Sequence, residues 1–453
     1  MTLPSAAAAA LALAACAARP LPGPSTPREL LADGGWCWFQ DERALVLDDR
    51  YVVFGSVADG RGDASRAGDV QASRWDLATG AVETVVLHAR LDRDDHAAPA
   101  FFRRDDGRLL TTYCTHGHDD VLRWRFADPC ASPFAFEPER TFTVPLPKGH
   151  GLTYSNLLLS CRGGGSCIPE AIVDVCRAEN WNPTALASYD GGASWQVAQR
   201  VVAGVGRPYA KYAGDGTWVH FVCTEQHPRD FDNGLSYGRF VATSPTQRGD
   251  GEMPDTELEG GHFRGPAPDQ LTPVFAGRPD AVAWPCDLEL GADGQPVCVF
   301  SVQVDGAGKP RGEGGLDHRF WYGRFDGTRW HTHEIAFAGT KLYAGEDDYT
   351  GLCCLVPDEP TIVIASTDAD PVTGAPLRSR ADGKRHHELF LGRTADGGAS
   401  WTWTALTRDS TGDNLRPIVP RWRRDRCVLL WLAGELRTYT DYDLAVRGQV
   451  LAL

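Results

Sequence analysis

SYDGGASW (Ser188 to Trp195) and TADGGASW (Thr394 to Trp401) differ only at their first two positions. Both fit S/T-x-D-x-G-x-x-W, the Asp-box pattern of a β-hairpin turn. In such a turn the Asp carboxylate binds backbone N–H groups, Gly supplies φ > 0 and Trp packs beneath. Looser relatives stand at SRWDLATG (Ser73 to Gly80) and GRFDGTRW (Gly323 to Trp330). From about residue 35 onward one unit recurs: a few short strands, a tight turn of the DG type, then Trp. At roughly 60 residues per unit, residues 35–453 hold close to seven units, which predicts an all-β fold, a seven-bladed β-propeller in one domain. A large β-sandwich with chance DGG turns is the competing fold. The turns are structural punctuation and leave the function open.

Composition agrees with this reading. The 453 residues include 49 Gly, 30 Pro and 14 Trp but only 2 Met, a turn-rich chain without long heptads or amphipathic helices. A formal net charge of -15 argues against nucleic acid as a partner, because phosphate binding needs clustered Lys and Arg. One well-placed Arg can still outweigh that field locally, so a polyanionic substrate stays open.

Residues 1–20, MTLPSAAAAALALAACAARP, are apolar and too short to span a bilayer. They resemble an export signal ending in a lipobox, Leu13-Ala14-Ala15-Cys16, in which Cys16 would be lipidated and become the mature N-terminus. A Pro-rich stretch follows, so residues 21–34 are expected as a linker. An exported monomer is expected, periplasmic, secreted or held at an outer membrane, with membrane contact only through Cys16. Twelve of the 13 cysteines then remain, an even number compatible with disulfides. Cys161 and Cys167 flank RGGGS and are placed to close a small loop. Cys37, Cys114, Cys176, Cys223, Cys298 and Cys427 sit in apolar strand-like runs, where buried thiols are expected.

The first candidate constellation lies in LDRDDHAAPAFFRRDDGRLLTTYCTHGHDD (Leu91 to Asp120). His96 and His116 each stand ten residues from Asp106, in the turn between two apolar runs. If the segment is an antiparallel hairpin, the two histidines face each other at its open end, with side chains about 5 Å apart. His118 lies beyond that register. Next, GHGLTYSNLLLS brings His150, Tyr154 and Asn156 to the start of a strand, and AIVDVCRAENWNP ends its strand in Arg177, suited to bidentate binding of a carboxylate. GRPYAKY adds Arg207, Tyr209 and Lys211, with His227 and Tyr237 downstream; Tyr209 and Lys211 share a strand face and are expected as secondary contacts.

His, His, Tyr and Arg on consecutive blades suit β-elimination from a 4-linked uronic acid. A cation neutralises the carboxylate and stabilises the enolate-like intermediate. A base takes the C5 proton, and an acid protonates the departing O4. No water nucleophile, paired carboxylates or cofactor is required.

GGWCWFQDERAL, DDHAAPAF followed by THG, LTYSN, CRAENWNPT, RPYAKY, LDHRFWYGRFDGTRW, EDDYTG, HELFLGRTADGGASW and DNLRPIVP together resemble the BNR-repeat (bacterial neuraminidase repeat) family. That family includes seven-bladed propeller polysaccharide lyases acting on ulvan and related rhamnose-glucuronate glycans, and the likeness covers nearly the whole chain from about residue 35. It implies catalytic roles for His96, His116, Tyr154 and Arg177. Arg177 would neutralise the carboxylate, His116 and Tyr154 would be base and acid in either order, and His96 would bind substrate or share the proton. Asn156, Tyr209, Lys211 and Arg416 are expected substrate contacts. A structural calcium or zinc ion occurs in some relatives, and its ligands here are unassigned. RGGGSC lengthens the interval from Tyr154 to Arg177 relative to the family pattern.

Two alternatives stay open. A sialidase-like hydrolase would cast Arg43, Arg177 and Arg416 as a carboxylate-binding triad, although no Glu stands beside a suitable Tyr. A glycan-binding surface propeller without turnover would use the many Trp and Tyr as stacking platforms.

Overall fold

The computed structural model describes residues 25–161, 169–204, 206–242 and 265–453. Expectations about the leader, Cys16 and the Cys161–Cys167 loop fall outside the described side chains.

Seven four-stranded antiparallel sheets follow one another along the chain, arranged as a β-propeller. Blades 1 to 6 span residues 44–88, 100–143, 157–200, 210–275, 282–339 and 353–405. Blade 7 takes three strands from residues 413–452 and its fourth from the other end of the chain, Arg28–Leu31. That strand falls inside residues 21–34, expected as a linker, and corrects that boundary. Arg28 and Glu29 pair with Gly448 and Arg447, and Leu30 is buried in the core shared with blade 1. Proline density misled here because the ladder needs only a few donors on an edge strand.

All four Asp-containing turns quoted above join the third strand of a blade to its fourth. In the two close copies, Asp190 and Asp396 accept from the backbone N–H and hydroxyl of Ser194 and Ser400 at 2.6–2.9 Å. Gly191, Gly192, Gly397 and Gly398 all have φ between 70° and 101°. Connections between second and third strands, and from blade to blade, emerge at the opposite end of the ring, where the candidate residues lie.

Each sheet is buried on both faces. In blade 3, Ile172, Cys176 and Leu186 pack toward blade 2, while Val173, Val175, Ala185 and Ala187 pack toward blade 4. Successive side chains alternate faces, so a strand with two buried faces reads as a continuous apolar run such as AIVDVC. The cysteines named above as buried thiols are buried and form no disulfide.

Candidate functional site

Blade 2 begins with a hairpin in which Ala100 pairs with Thr112 and Arg103 with Leu109, a register centred on Asp106. His96 and His116 continue that register past the end of the ladder. His96 sits in a short 3-10 turn, Asp95–Ala97, instead of an extended strand. The rings nevertheless stack, 3.8 Å apart and 7° from parallel.

Asp94 holds the pair. One of its oxygens caps the turn by accepting from the His96 backbone N–H at 2.9 Å and lies 2.6 Å from His96 Nδ1. The other lies 2.7 Å from His116 Nδ1. Asp95 adds a second carboxylate 2.9 Å from His96 Nδ1, and Gln40 donates to the carbonyls of His96 and Ala98. Burial alone would push the His96 pKa down, but Cys37 and Asp94 hold it well above the usual histidine value. His116 goes the other way, pushed down to about 4 by burial and by the charge on His96. A neutral His116 donates Nδ1–H to Asp94, which leaves Nε2 as an acceptor that Arg177 occupies. That atom faces Arg177, with Nη2 at 3.4 Å.

Arg177 ends the second strand of blade 3 and is buried, yet no carboxylate of the described residues pairs with it. Its Nε and Nη1 meet no acceptor. The guanidinium instead lies over the rings of Tyr154, Trp181 and Tyr209 at 4.9, 5.1 and 5.4 Å. Tyr154 is held in a left-handed conformation, φ 69°, by a backbone bridge between Thr153 and Arg177. Its ring lies 5.4 Å from that of His96, and its buried hydroxyl has no hydrogen-bond partner. Burial pushes the Tyr154 pKa well above the usual tyrosine value, so the phenol keeps its proton.

The four residues expected as catalytic therefore meet in one cluster, with Tyr209 against it. Of the other expected substrate contacts, Asn156 lines one small cavity with Tyr154, Arg177 and Tyr209, while Lys211 and Arg416 are engaged elsewhere. Lys211 points into the axis of the ring and pairs with Asp41 at 2.8 Å. Arg416 is buried on Asp95 at 2.5 Å and on the Trp36 carbonyl. Asn156 spends its amide on backbone, accepting from Asp41 N–H at 2.9 Å and donating to the Val175 carbonyl at 2.7 Å. The arginine triad of the hydrolase alternative is not assembled, since Arg43 donates to the carbonyls of Cys37 and Trp38 while Arg416 serves Asp95. His118 stands apart, 68% exposed and bound to Asp92. His227 lies on the far side of Tyr209, ring to ring 5.3 Å.

Sequence reasoning missed Asp94, whose signal was the DD before His96, and Tyr439, which had none. Tyr439 sits between the long second and third strands of blade 7, Arg426–Thr438 and Asp441–Ala452. Its carbonyl accepts from Asp95 N–H at 3.0 Å. The ring is nearly perpendicular to both imidazoles, at 5.3 and 5.6 Å, so it flanks the edges of the stack.

Among the described residues, two groups of side chains bring ligand atoms within 4.8 Å of one another, Cys37 with Asp95 and His96, and Asp94 with His96 and His116. In both groups candidate ligand atoms already have partners. The histidine Nδ1 atoms are already bound to carboxylates, and Asp95 is bound to Arg416.

No protein-family model and no curated protein sequence matches the chain. Solved structures match it along most of its length. An ulvan lyase of the PL25 family, bound to -[GlcA(1-4)Rha3S]-, superposes with a TM-score of 0.59 at 12% identity, covering 93% of this chain and 95% of that one. The polysaccharide lyase Uly1 gives 0.54 at 10% identity, covering 94% and 97%. This chain is similar to both in fold.

Proposed function

We propose that the protein is a polysaccharide lyase that cleaves a 4-linked glucuronate beside rhamnose, in an ulvan-like or gum arabic-like glycan, by β-elimination. The observation that carries this reading is Arg177, a buried cation without a carboxylate partner among the described residues, whose Nη2 donates at 3.4 Å to Nε2 of a neutral histidine that an incoming carboxylate would release. Leaving a buried donor unpaired costs about 1–3 kcal/mol, a debt an incoming carboxylate removes. The likeness in fold to two polysaccharide lyases favours the same reading.

The substrate carboxylate pairs with Arg177 from the side where His116 is open to solvent. Arg177 and the His96 imidazolium stabilise the negative charge that develops as the C5 proton leaves. His116 Nε2 takes that proton. The C4–O4 bond breaks as the C4=C5 double bond forms, and the Tyr154 hydroxyl gives its proton to O4. Passing the proton from His116 to the Tyr154 phenolate restores the enzyme. These steps use protein groups alone.

The test is a panel of uronate glycans, including ulvan, gum arabic-type side chains and pectic rhamnogalacturonan, screened for an ultraviolet-absorbing 4,5-unsaturated product. Saturated products would mean hydrolysis, and binding without product would mean a glycan-binding propeller; either sinks the lyase reading.

A further inference from the structure

Five large hydrophobic side chains are exposed among the described residues: Val86, Trp181, Phe231, Leu316 and Val372. All but Val86 lie on connections between second and third strands, in blades 3 to 6, at the end of the ring that holds the histidine pair. Trp181 alone among these four touches the site. Arg177 lies over its indole at 5.1 Å, and 39% of the residue stays open.

The backbone that presents this ring is unusual. Asn180 and Trp181 are consecutive residues with φ of 50° and 60°, a conformation that side chains with a Cβ rarely adopt. Such strain persists only where the surroundings over-determine it. Here the turn is tied by Trp181 N–H to the Ala178 carbonyl at 2.9 Å, Asn182 N–H to the Glu179 carbonyl at 3.0 Å, and Asn180 N–H to His150 Nδ1 at 3.1 Å. Gly117, one residue after His116, makes room for the ring. A Cβ there would come within 2.9 Å of the indole, and φ at Gly117 is 74°. These local features together hold the indole against Arg177 with 39% of the residue exposed, where an ordinary core Trp would be buried. An exposed ring adds nothing to folding commensurate with that strain, so its use lies at the surface.

We infer that Trp181 is a stacking platform for the sugar next to the uronate bound at Arg177, a subsite suited to a ring with an apolar face such as a 6-deoxyhexose. This rests on the lyase reading for the position of the uronate. The guanidinium lies over one face of the indole, so one sugar can stack on the face left open while its neighbour's carboxylate reaches past the ring edge to the cation. The platform belongs to binding and contributes little to the proton transfers.

The experiment pairs turnover with binding, using ulvan as the probe. Retention of the His116→Ala protein in an ulvan-containing gel measures affinity without cleavage, and Trp181→Ala and Trp181→Phe are made in that background and in the active protein. Trp181→Ala is expected to weaken retention and raise KM by about tenfold with little change in kcat, while Trp181→Phe, which keeps a stacking face, restores most of both. Unchanged KM and retention in Trp181→Ala overturn the platform, as does a loss confined to kcat, which would make the ring a support for Arg177. If ulvan is retained in a Trp181-dependent way but never cleaved, the lyase reading falls and the platform stands. If the parent protein retains neither ulvan nor gum arabic, both fall.

Discussion

At Asp94 one carboxylate holds a backbone N–H and two imidazoles, and the two rings it holds differ in charge. Burial would raise its pKa, but His96 and His116 keep it far below the usual carboxylate range. Asp94→Asn puts a donor where an acceptor is needed, so kcat should fall ~100-fold or more, and stability by roughly 3–5 kcal/mol in urea unfolding, because a buried pair is broken. On the proposed mechanism His116 is the base, so His116→Ala should lower kcat by about 10²–10⁴-fold. The pH profile follows from the direction of the shift. A histidine works as a base only when neutral, so on the proposed mechanism activity should fall as pH drops through about 4. A histidine whose folded pKa is depressed also destabilises the protein as pH falls from its unfolded value toward 4, since the unfolded chain takes the proton first. His116→Ala should flatten that part of the stability curve. An acid limb near 7 in kcat would remove His116 from the role of base.

At the scale of elements, the Asp-containing turns and the candidate site lie at opposite ends of the ring. Asp190 and Asp396 organise turns at the end away from the histidines. Substituting either by Ala should lower the thermal unfolding midpoint and leave kcat at the wild-type value; a kcat loss without a shift in midpoint would contradict this division. The long hairpin of blade 7 works at the other end, where Tyr439 flanks both imidazoles. Tyr439→Ala should lower kcat ~10-fold or more by loosening the stack, and Tyr439→Phe should retain most activity because the ring edge is kept. A KM effect in place of a kcat effect would assign Tyr439 to substrate binding.

At the scale of the whole molecule, the ring is closed by Arg28–Leu31 adding to the last strand of the chain. Ser25 reinforces the join, its backbone N–H donating to the Val450 carbonyl and its hydroxyl accepting from the Val450 N–H, and Arg28 reaches across to the Gly80 carbonyl on blade 1. Leu30→Ala should cost about 2–5 kcal/mol, measured by denaturant unfolding, since its side chain packs on Gly448 within a shared core. Deleting residues 1–31 would expose the edge of the Asp441–Ala452 strand and should add aggregation to the loss of stability. A fully stable, monomeric truncation would show that closure contributes little.

Much of this was legible because it depends on local periods. Asp-containing turns recur in four of the seven blades and mark the repeating unit, whose length sets the blade number, and a hairpin centred on Asp106 brings His96 to His116 whatever the rest of the chain does. Strand ends place Tyr154 and Arg177 for the same reason. Lys211 was misread because a shared strand face does not mean a shared depth. Two residues along an inner strand move a side chain about 6.6 Å down the axis, from the open end where Tyr209 meets Arg177 to the interior where Asp41 waits. Arg416 was misread because its partner, Asp95, lies 321 positions away, and Tyr439 went unseen because nothing around a hairpin tip marks what it will face. Local repetition in the sequence determined the fold and the pairing of the histidines. Which histidine carries the charge, which arginine lacks a carboxylate and which aromatic ring stays exposed were decided only by the tertiary structure, because burial and charge at one atom are set by neighbours that closure of the ring brings together.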